Sequence, residues 1–206
     1  MTSTSARLEA APRRLSTVLE QLAKQPDGSI TVEQLRQALG DRSFATFLVF
    51  FSLFNLLPLP PGSTLVFGIP LIIISVQMTL GRQTIWLPHF LLERSISSER
   101  FRHLSEKVAP ALKRLERIVR PRYWPFDRNR ADRVIGMLAL ILATVVTLPI
   151  PFGNWFPALA CALLGIALSE RDGVLLLVAA IMGVLSLAII TMLVGTATVL
   201  ADMLIG

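Results

Sequence analysis

Three stretches of the chain contain no charged residue, and each is longer than a membrane-spanning helix requires. They cover residues 43–81, 134–169 and 173–201, which is 39, 36 and 29 residues. About 20 apolar residues in helical form cross the hydrocarbon core of a bilayer. The chain as a whole is 53% hydrophobic and only 17% charged, which is too apolar for a soluble domain of 206 residues. The sequence therefore predicts an all-α integral membrane protein.

Composition also excludes several kinds of fold and site. Intrinsic disorder requires low hydrophobicity, which this chain does not have. A single cysteine, Cys161, cannot form a disulfide framework or a multi-cysteine zinc or iron–sulfur site within the chain. The two histidines, His89 and His103, fit no metal-binding pattern, and the sequence contains no P-loop and no Gly-x-Gly-x-x-Gly motif. We therefore expect no metal, no cofactor and no catalytic residue.

Charge divides the chain into five segments. Residues 1–42 and 82–133 carry 19 of the 20 Lys and Arg residues. Segments with such an excess of Lys and Arg stay in the cytoplasm, so we expect a multi-pass protein whose N-terminus is cytoplasmic. The predicted segments are a cytoplasmic N-terminal segment (1–42), a first membrane repeat (43–81), a basic cytoplasmic segment (82–133), a second membrane repeat (134–173) and a C-terminal membrane segment (174–206).

The first two apolar segments resemble each other when the sequence is shifted by about 91 residues. Asp41-Arg42 then aligns with Asp132-Arg133. Leu57-Pro58-Leu59-Pro60-Pro61-Gly62 aligns with Leu148-Pro149-Ile150-Pro151-Phe152-Gly153. The aligned positions share Asp, Arg, Leu, Pro, Pro and Gly without a gap, so we interpret the two segments as an internal repeat.

Each repeat consists of two apolar runs separated by a Pro-x-Pro-x-Gly break. The first runs, residues 44–57 and 134–147, would span only about 21 Å as helices, which is less than the ~30 Å hydrocarbon core. Proline cannot continue a helix, so each repeat is predicted to be a hairpin, either re-entrant or made of two short spanning helices. Both alternatives return the chain to the cytoplasmic side. The last segment is predicted to be one long tilted helix or a helix that bends near Gly195.

Helices are also predicted in the two charged segments. Leu15, Val18, Leu19 and Leu22 recur at helical spacing, and Thr31 with Gln34 has the spacing of a capping box that opens a second short helix. A DNA-reading helix-turn-helix is disfavoured because residues 31–39 contain only one basic residue, Arg36. Between residues 100 and 119, an amphipathic helix suited to an anionic membrane surface is predicted from an apolar stripe of Leu104, Val108, Leu112, Leu115 and Val119.

Several motifs in order along the chain resemble the ExoD family of bacterial inner-membrane proteins. They are Asn55-Leu56-Leu57-Pro58-Leu59-Pro60-Pro61-Gly62-Ser63, Phe67-Gly68-Ile69-Pro70-Leu71, Gln77 with Gly81-Arg82, Trp86-Leu87-Pro88, Leu115-Glu116-Arg117 with Arg120-Pro121-Arg122, Pro149-Ile150-Pro151-Phe152-Gly153-Asn154 and Arg171-Asp172-Gly173. The resemblance covers about residues 15–195. It implies a location in the bacterial inner membrane and a role in exopolysaccharide production. It brings no defined catalytic residue.

Polar residues inside or at the ends of apolar segments are the best candidates for a functional site. We expect both breaks to line one polar cavity, where the N-termini of the following half-helices would present free amide protons to an anionic group. Simpler roles are open for each residue, such as hydrogen bonds to the same helix for Ser and Thr, capping for Asn154, and interfacial ion pairs for the charged residues. The candidate binding residues are Asn55, Pro58, Pro60, Gly62, Ser63, Thr64, Gln77, Arg82, Thr147, Pro149, Pro151, Gly153, Asn154, Arg171 and Asp172.

Two functional hypotheses follow from these expectations. The first is transport or permeation of an ionic or lipid-linked solute through the polar cavity, because broken helices in repeats are typical of secondary transporters. The second is a non-catalytic membrane scaffold for polysaccharide-synthesis enzymes. An intramembrane enzyme is least favoured because no acid/base pair is evident. The expected partners are the lipid bilayer, an anionic lipid or glycan-linked solute, and a second copy of the chain. The second copy could make close helix contact at the small residues Gly183, Ser186, Gly195 and Ala197. Nucleic acid is not expected as a partner.

Overall fold

The fold divides into two compact units, and each is described separately. A computed structural model describes residues 15–24, 28–31, 33–34, 44–56, 63–82, 84–88, 95–148 and 154–205. The first unit, called the small unit, comprises Met1–Gly40 and Glu93–Ile118. The second, called the hairpin unit, comprises Asp41–Leu92 and Val119–Gly206.

The small unit combines two helices with a short antiparallel ribbon. Helix α1 covers Leu15–Ala23 and α4 covers Ser98–Ile118, while strand β1 (Ser29–Thr31) pairs with β2 (Ser95–Ser97). Strand β1 corrects the prediction that the N-terminal segment contains helices alone. The predicted capping box is present, because Thr31 N–H donates to Gln34 Oε1 at 3.0 Å and Gln34 N–H donates to Thr31 Oγ1 at 3.1 Å.

The predicted amphipathic helix is α4, and Val119 of the predicted stripe is buried just after the helix ends. Phe101, Ser105, Ala109 and Leu112 are the buried positions, and α4 packs on α1. Of the predicted stripe, Leu112 is buried and Leu115 is half-buried, while the side chains of Leu104 and Val108 lie outside the described residues. At least part of the apolar face of α4 therefore forms the core of the small unit.

The hairpin unit contains five helices in the described part of the chain. They are α2 (Phe44–Asn55), α3 (Ser63–Thr79), α5 (Arg128–Thr147), α6 (Trp155–Glu170) and α7 (Gly173–Ile205). The predicted apolar runs match α2, α3 and α6 closely. Helix α5 begins six residues before the predicted boundary at residue 134, so its first turns carry Arg130 and Arg133. The expectation of predominantly helical structure is therefore confirmed.

Each helix of the first predicted hairpin packs mainly on a helix of the second hairpin. Helix α3 packs extensively on α5, and α2 packs extensively on α6. Helices α3 and α5 run antiparallel, because Gly68 lies against Thr147 at one end of their contact and Gly136 lies against Met78 at the other. Gly165 allows a similarly close approach of α6 to Val49 of α2. A duplicated unit would give this kind of arrangement, and the duplication itself stays a prediction.

Helix α7 is the longest element and is apolar over most of its length. Within the described residues, Gly173–Thr196 is the one helical stretch long and apolar enough to cross a membrane by length and composition, whereas Phe44–Asn55, Phe67–Thr79 and Trp155–Glu170 are shorter apolar helices. Every residue from Thr191 onward whose exposure is described is exposed. Of the small residues proposed for dimer contact, Gly183 lies against Leu142 of the same chain and Ser186 is buried, whereas Gly195 has no neighbouring atom within 4 Å of an added Cβ.

Candidate functional site

The polar residues that flank the two breaks lie at one end of the hairpin unit, called here the break end. The rings of Phe54 and Phe67 stack at a centroid distance of 5.0 Å and join the end of α2 to the first half of α3. Gly68 on α3 touches Thr147 at the end of α5. The residues next to both breaks are therefore on the same side of the unit, as the paired hairpins predict. Residues 57–62 and 149–153, which include Pro58, Pro60, Gly62, Pro149, Pro151 and Gly153, lie outside the described residues.

Asn55 is buried at the last position of α2 and is only half satisfied by hydrogen bonds. Its Nδ2 donates to the carbonyl oxygen of Phe51 at 2.9 Å, whereas its Oδ1 is buried and has no hydrogen-bond partner among the described residues. The side chain is 4% exposed, so water does not reach it freely. Because the bond to a carbonyl oxygen requires the amide nitrogen at that position, the orientation of the amide group is fixed by its neighbours.

Asn154 shows the same arrangement on the other side of the second break. It precedes α6, but its side chain makes no capping bond, so the predicted capping role for its side chain is wrong. Its Nδ2 instead donates to the carbonyl oxygen of Leu148 at 2.9 Å and so connects the two sides of the break. Within the part of the chain that the structure describes, its Oδ1 is again buried without a hydrogen-bond partner, and the residue is 6% exposed.

The two unpartnered oxygens define what this end of the unit can bind. A buried acceptor without a donor costs on the order of 1–3 kcal/mol, and most such groups in proteins are paired. An amide oxygen accepts hydrogen bonds or coordinates cations, and it repels anions. The group that complements Asn55 and Asn154 is therefore a hydroxyl, an ammonium, a water molecule or a metal cation.

The hydroxyl-bearing candidates near the breaks contribute less. Thr147 Oγ1 donates to the carbonyl oxygen of Ala143 at 2.7 Å, which is the bond to the same helix expected for Thr in an apolar segment. Its side chain also fills the space next to Gly68, where an added Cβ would lie 2.5 Å from Thr147 Oγ1. Ser63 and Thr64 lie in the first turn of α3, and their side chains are outside the described residues.

Gln77 lies near the opposite end of α3, called here the charged end, where α3 and α6 end and α5 and α7 begin. Its Nε2 donates to the carbonyl oxygen of Trp86 at 2.8 Å, and its Oε1 accepts from Trp86 N–H at 2.8 Å. A third bond runs from Nε2 to the carbonyl oxygen of Ile73 at 3.1 Å. The amide group is thus fully used in holding the segment around Trp86 on α3.

Asp172 is buried at the charged end and organises the start of α7. Its carboxylate accepts hydrogen bonds from the N–H groups of Val174 (2.9 Å), Leu175 (3.2 Å) and Arg120 (3.2 Å) and from Arg122 Nε (3.2 Å). Burial would raise the pKa of this carboxyl group, but the bonds from Leu175, Arg120, Arg122 and Val174 outweigh it and lower the pKa below its ordinary value. The group is a structural anchor that binds the 120–123 segment to α7.

The remaining charged candidates are at the same end. Arg171 ends α6 in a left-handed conformation (φ 53°) and is exposed, and Arg82 is exposed after the end of α3. Helix α6 separates Asn154 from Asp172 by 16 residues, or about 24 Å. The candidate residues therefore fall into two groups, and the described side chains at the break end are those of Asn55, Thr147 and Asn154.

Sequence reasoning did not assign a role to Arg120 or Arg122 as partners of Asp172. Arg122 forms an isolated parallel bridge with Asp172, and Gly173 N–H donates to the Arg122 carbonyl oxygen at 2.8 Å. A Cβ on Gly173 would meet the Tyr123 carbonyl oxygen, so the close approach requires glycine. The Arg-Pro-Arg and Arg-Asp-Gly motifs were both visible, but nothing in the sequence indicated that they meet. Among the described residues, no group of three or more His, Cys, Asp or Glu side chains could hold a metal ion.

These features define a helical protein with two Pro/Gly-interrupted hairpins and one helix of membrane-spanning length. The family model described as "Exopolysaccharide synthesis, ExoD" matches residues 15–192. Protein ExoD of Rhizobium meliloti is 30% identical over 164 residues, which is 77% of this chain and 68% of that protein. An uncharacterized protein of Synechocystis sp. is 31% identical over 186 residues, covering 86% of this chain and 87% of that protein. No solved structure matches the chain. The chain belongs to the ExoD family, as the motifs predicted, and this family is associated with exopolysaccharide synthesis.

Proposed function

We propose that this chain is a membrane transport or permeation protein that supports exopolysaccharide production, and that its solute passes the break end of the hairpin unit. The observation that carries the proposal is the pair of buried, unpartnered oxygens on Asn55 and Asn154. A purely structural helix end gains nothing from them, because an apolar side chain of similar size would avoid the unpaired acceptor. A bound hydrogen-bond donor or cation would provide both oxygens with the partner that they lack.

Helix length supports a location inside the membrane. Helix α2 has 12 residues and α6 has 16, which correspond to about 18 and 24 Å, compared with the ~30 Å hydrocarbon core. With the charged end at the cytoplasmic surface, where the Lys and Arg excess favours it, the break end lies within the membrane. Non-helical backbone at that depth is tolerated only inside protein or against a water-filled cavity. The solute proposed is therefore ionic or lipid-linked, and offers a cation or a hydrogen-bond donor to the two asparagines.

Substitution of the asparagines tests the proposal through opposite effects on stability and function. Asn55→Leu and Asn154→Leu remove the unpaired acceptors but also the Nδ2 bonds to the carbonyl oxygens of Phe51 and Leu148, so the two effects offset each other and the melting temperature in detergent should stay within a few degrees of the wild type. Exopolysaccharide production in a strain that lacks the native protein should nevertheless be lost. Ser52→Ala is the matched control, because Ser52 is equally buried on α2 but its Oγ donates to the Leu48 carbonyl oxygen at 2.6 Å. Full complementation by both Asn variants at normal abundance would contradict the proposal.

Proline substitutions at the breaks provide a second test. Pro60→Ala and Pro151→Ala should insert into the membrane at near-normal levels, because insertion depends on hydrophobicity. They should fail to restore exopolysaccharide production if the breaks are needed for passage. In proteoliposomes, the wild-type chain should conduct a solute that these variants do not conduct.

A non-catalytic scaffold is the second candidate, and the surface of the small unit favours it. Helix α4 exposes Arg102, Arg114 and Arg117 on the small unit, where Lys113 forms an ion pair with Glu20. Such a surface suits an acidic partner protein. Charge reversals at Arg102 and Arg114 should then abolish exopolysaccharide production and the recovery of a synthase complex, while the Asn55 and Asn154 variants retain both.

A further inference from the structure

An open cavity of about 410 Å³ lies at the charged end, where α5 begins. This volume falls within the range of small-molecule sites. Arg133 in its lining and Thr147 at the break end are 14 residues apart on α5, or about 21 Å, so the cavity is separate from the site proposed above. The lining residues are Pro125, Phe126, Asp127, Arg130, Arg133 and Val134.

Two arginines give the cavity a positive charge. Arg130 and Arg133 are three residues apart on α5, so their side chains lie on the same face of the helix. Both are exposed. Arg133 lies directly against Gly81, where an added Cβ would be 2.9 Å from its Nε. Asp127 contributes the one carboxylate of the lining, which leaves a net charge of +1.

An apolar surface continues from the arginines along α5. Val134, Met137 and Ile141 follow Arg130 at helical spacing, and they are 39%, 54% and 46% exposed. At the other side of the cavity, Trp124 and Phe126 form an edge-to-face ring pair with a centroid distance of 6.3 Å. Aromatic side chains of this kind favour the headgroup level of a membrane.

We propose that the cavity binds the headgroup of a phosphate-bearing lipid, whose acyl chain lies along the α5 surface. Guanidinium groups bind phosphate oxygens through paired, charge-assisted hydrogen bonds. Basic pockets next to membrane helices on the cytoplasmic side bind anionic headgroups for this reason. The continuous surface from positive cavity to apolar stripe matches an amphiphile with an anionic head and an apolar tail, and it matches a free anion less well.

Lipid titration of the full-length chain in detergent, followed by native mass spectrometry, tests this proposal. The probes are dioleoyl phosphatidic acid, dioleoyl phosphatidylcholine and inorganic phosphate. The wild-type chain should bind phosphatidic acid at least tenfold more tightly than phosphatidylcholine. Arg130→Gln with Arg133→Gln should weaken the affinity for phosphatidic acid by roughly thirtyfold, since each basic residue near an anionic headgroup contributes about a fivefold effect. Arg102→Gln with Arg114→Gln removes the same charge from the small unit and should leave this affinity unchanged.

Two further variants keep the test independent of misfolding. Asp127→Asn removes the repelling carboxylate, so it should bind phosphatidic acid several-fold more tightly, which an unfolded variant cannot do. Met137→Gln should weaken binding of the dioleoyl lipid because it interrupts the apolar stripe. Equal loss of affinity in the Arg102/Arg114 control would overturn the site. Complete displacement of the lipid by an equal concentration of inorganic phosphate would overturn the assignment to a lipid.

Discussion

Replacing Asp172 by alanine should destabilise the junction between α7 and the 120–123 segment. The substitution removes an acceptor from two N–H groups in the first turn of α7, from Arg120 N–H and from Arg122 Nε. Loss of a helix N-cap costs about 0.5–2 kcal/mol. The ion pair adds at most about 1 kcal/mol, because the Arg122 side chain is 45% exposed and remains hydrated. The expected loss is roughly 2 kcal/mol, or about 4–8 °C in the melting temperature of a chain of this size.

The effect should also depend on pH with a definite sign. The pKa of Asp172 is lowered in the folded chain, so its carboxylate stabilises the fold above the ordinary aspartate pKa of about 3.9. This contribution is lost as the pH falls through the folded-state pKa. The difference in stability between the wild type and Asp172→Asn should therefore be constant from pH 5 to 8 and shrink below pH 4.

Thermal unfolding in detergent, followed by tryptophan fluorescence at pH 7.5, 5.0 and 3.5, measures both effects. Asp202→Ala is the matched control, since Asp202 is an exposed carboxylate on the same helix. Its melting temperature should equal that of the wild type at every pH. The reasoning is refuted if the Asp172→Ala and Asp202→Ala variants have the same melting temperature at pH 7.5. It is also refuted if the difference in stability between the wild type and Asp172→Asn is as large at pH 3.5 as at pH 7.5.

Two further predictions concern helix packing. Gln77→Leu should lower the stability measured by thermal unfolding by about 1–3 kcal/mol, because the backbone N–H and carbonyl groups of Trp86 both lose their side-chain partner. Gly68→Val and Gly136→Val should each cost about 1–3 kcal/mol by forcing α3 and α5 apart, since an added Cβ would lie 2.5 Å from Thr147 Oγ1 and 2.6 Å from Met78 Cβ respectively. Gly195→Val has no atom within 4 Å to displace, so an unchanged melting temperature is expected there, and equal losses at all three glycines would refute the packing argument.

Local physics explains which parts of the fold were predictable from the sequence. Charge boundaries and the Pro/Gly breaks place the ends of α2, α3 and α6 within a few residues, because proline and charge act on the helix that contains them. The capping box of Thr31 and Gln34 was predictable for the same reason, since its partners are three residues apart. The start of α5 was placed too late because its first turns are charged, and charge ends an apolar stretch without ending a helix.

Contacts between distant residues explain most of what was missed. Strand β1 pairs with β2, 66 positions away, and three residues of strand carry too weak a pattern to be recognised alone. Asp172 meets Arg122 across 50 positions, so the polar pair resembled two separate surface motifs. At α4, the predicted stripe contains the buried Leu112, and the packing of α4 on α1 accompanies burial of Phe101 and Ser105, which the stripe did not include. At the break end, the positions of the two asparagines were predictable from the sequence. That their oxygens, and not their amide nitrogens, are left for a ligand was not predictable, because it depends on the bonds from Nδ2 to the carbonyl oxygens of Phe51 and Leu148.

The exchange of helix partners between the hairpins has a consequence for biosynthesis. Helix α2 is buried over nearly its whole surface, and its main partner, α6, is completed about 115 residues later in the chain. At a synthesis rate of ~5–20 residues per second, the finished α2 waits roughly ten seconds for α6 to emerge from the ribosome. During that interval the apolar surface of α2 lacks the helix that buries most of it. A chain released before α6 is made would expose this phenylalanine-rich surface to other nascent chains, so the order of synthesis makes the first hairpin prone to aggregation until α6 is complete.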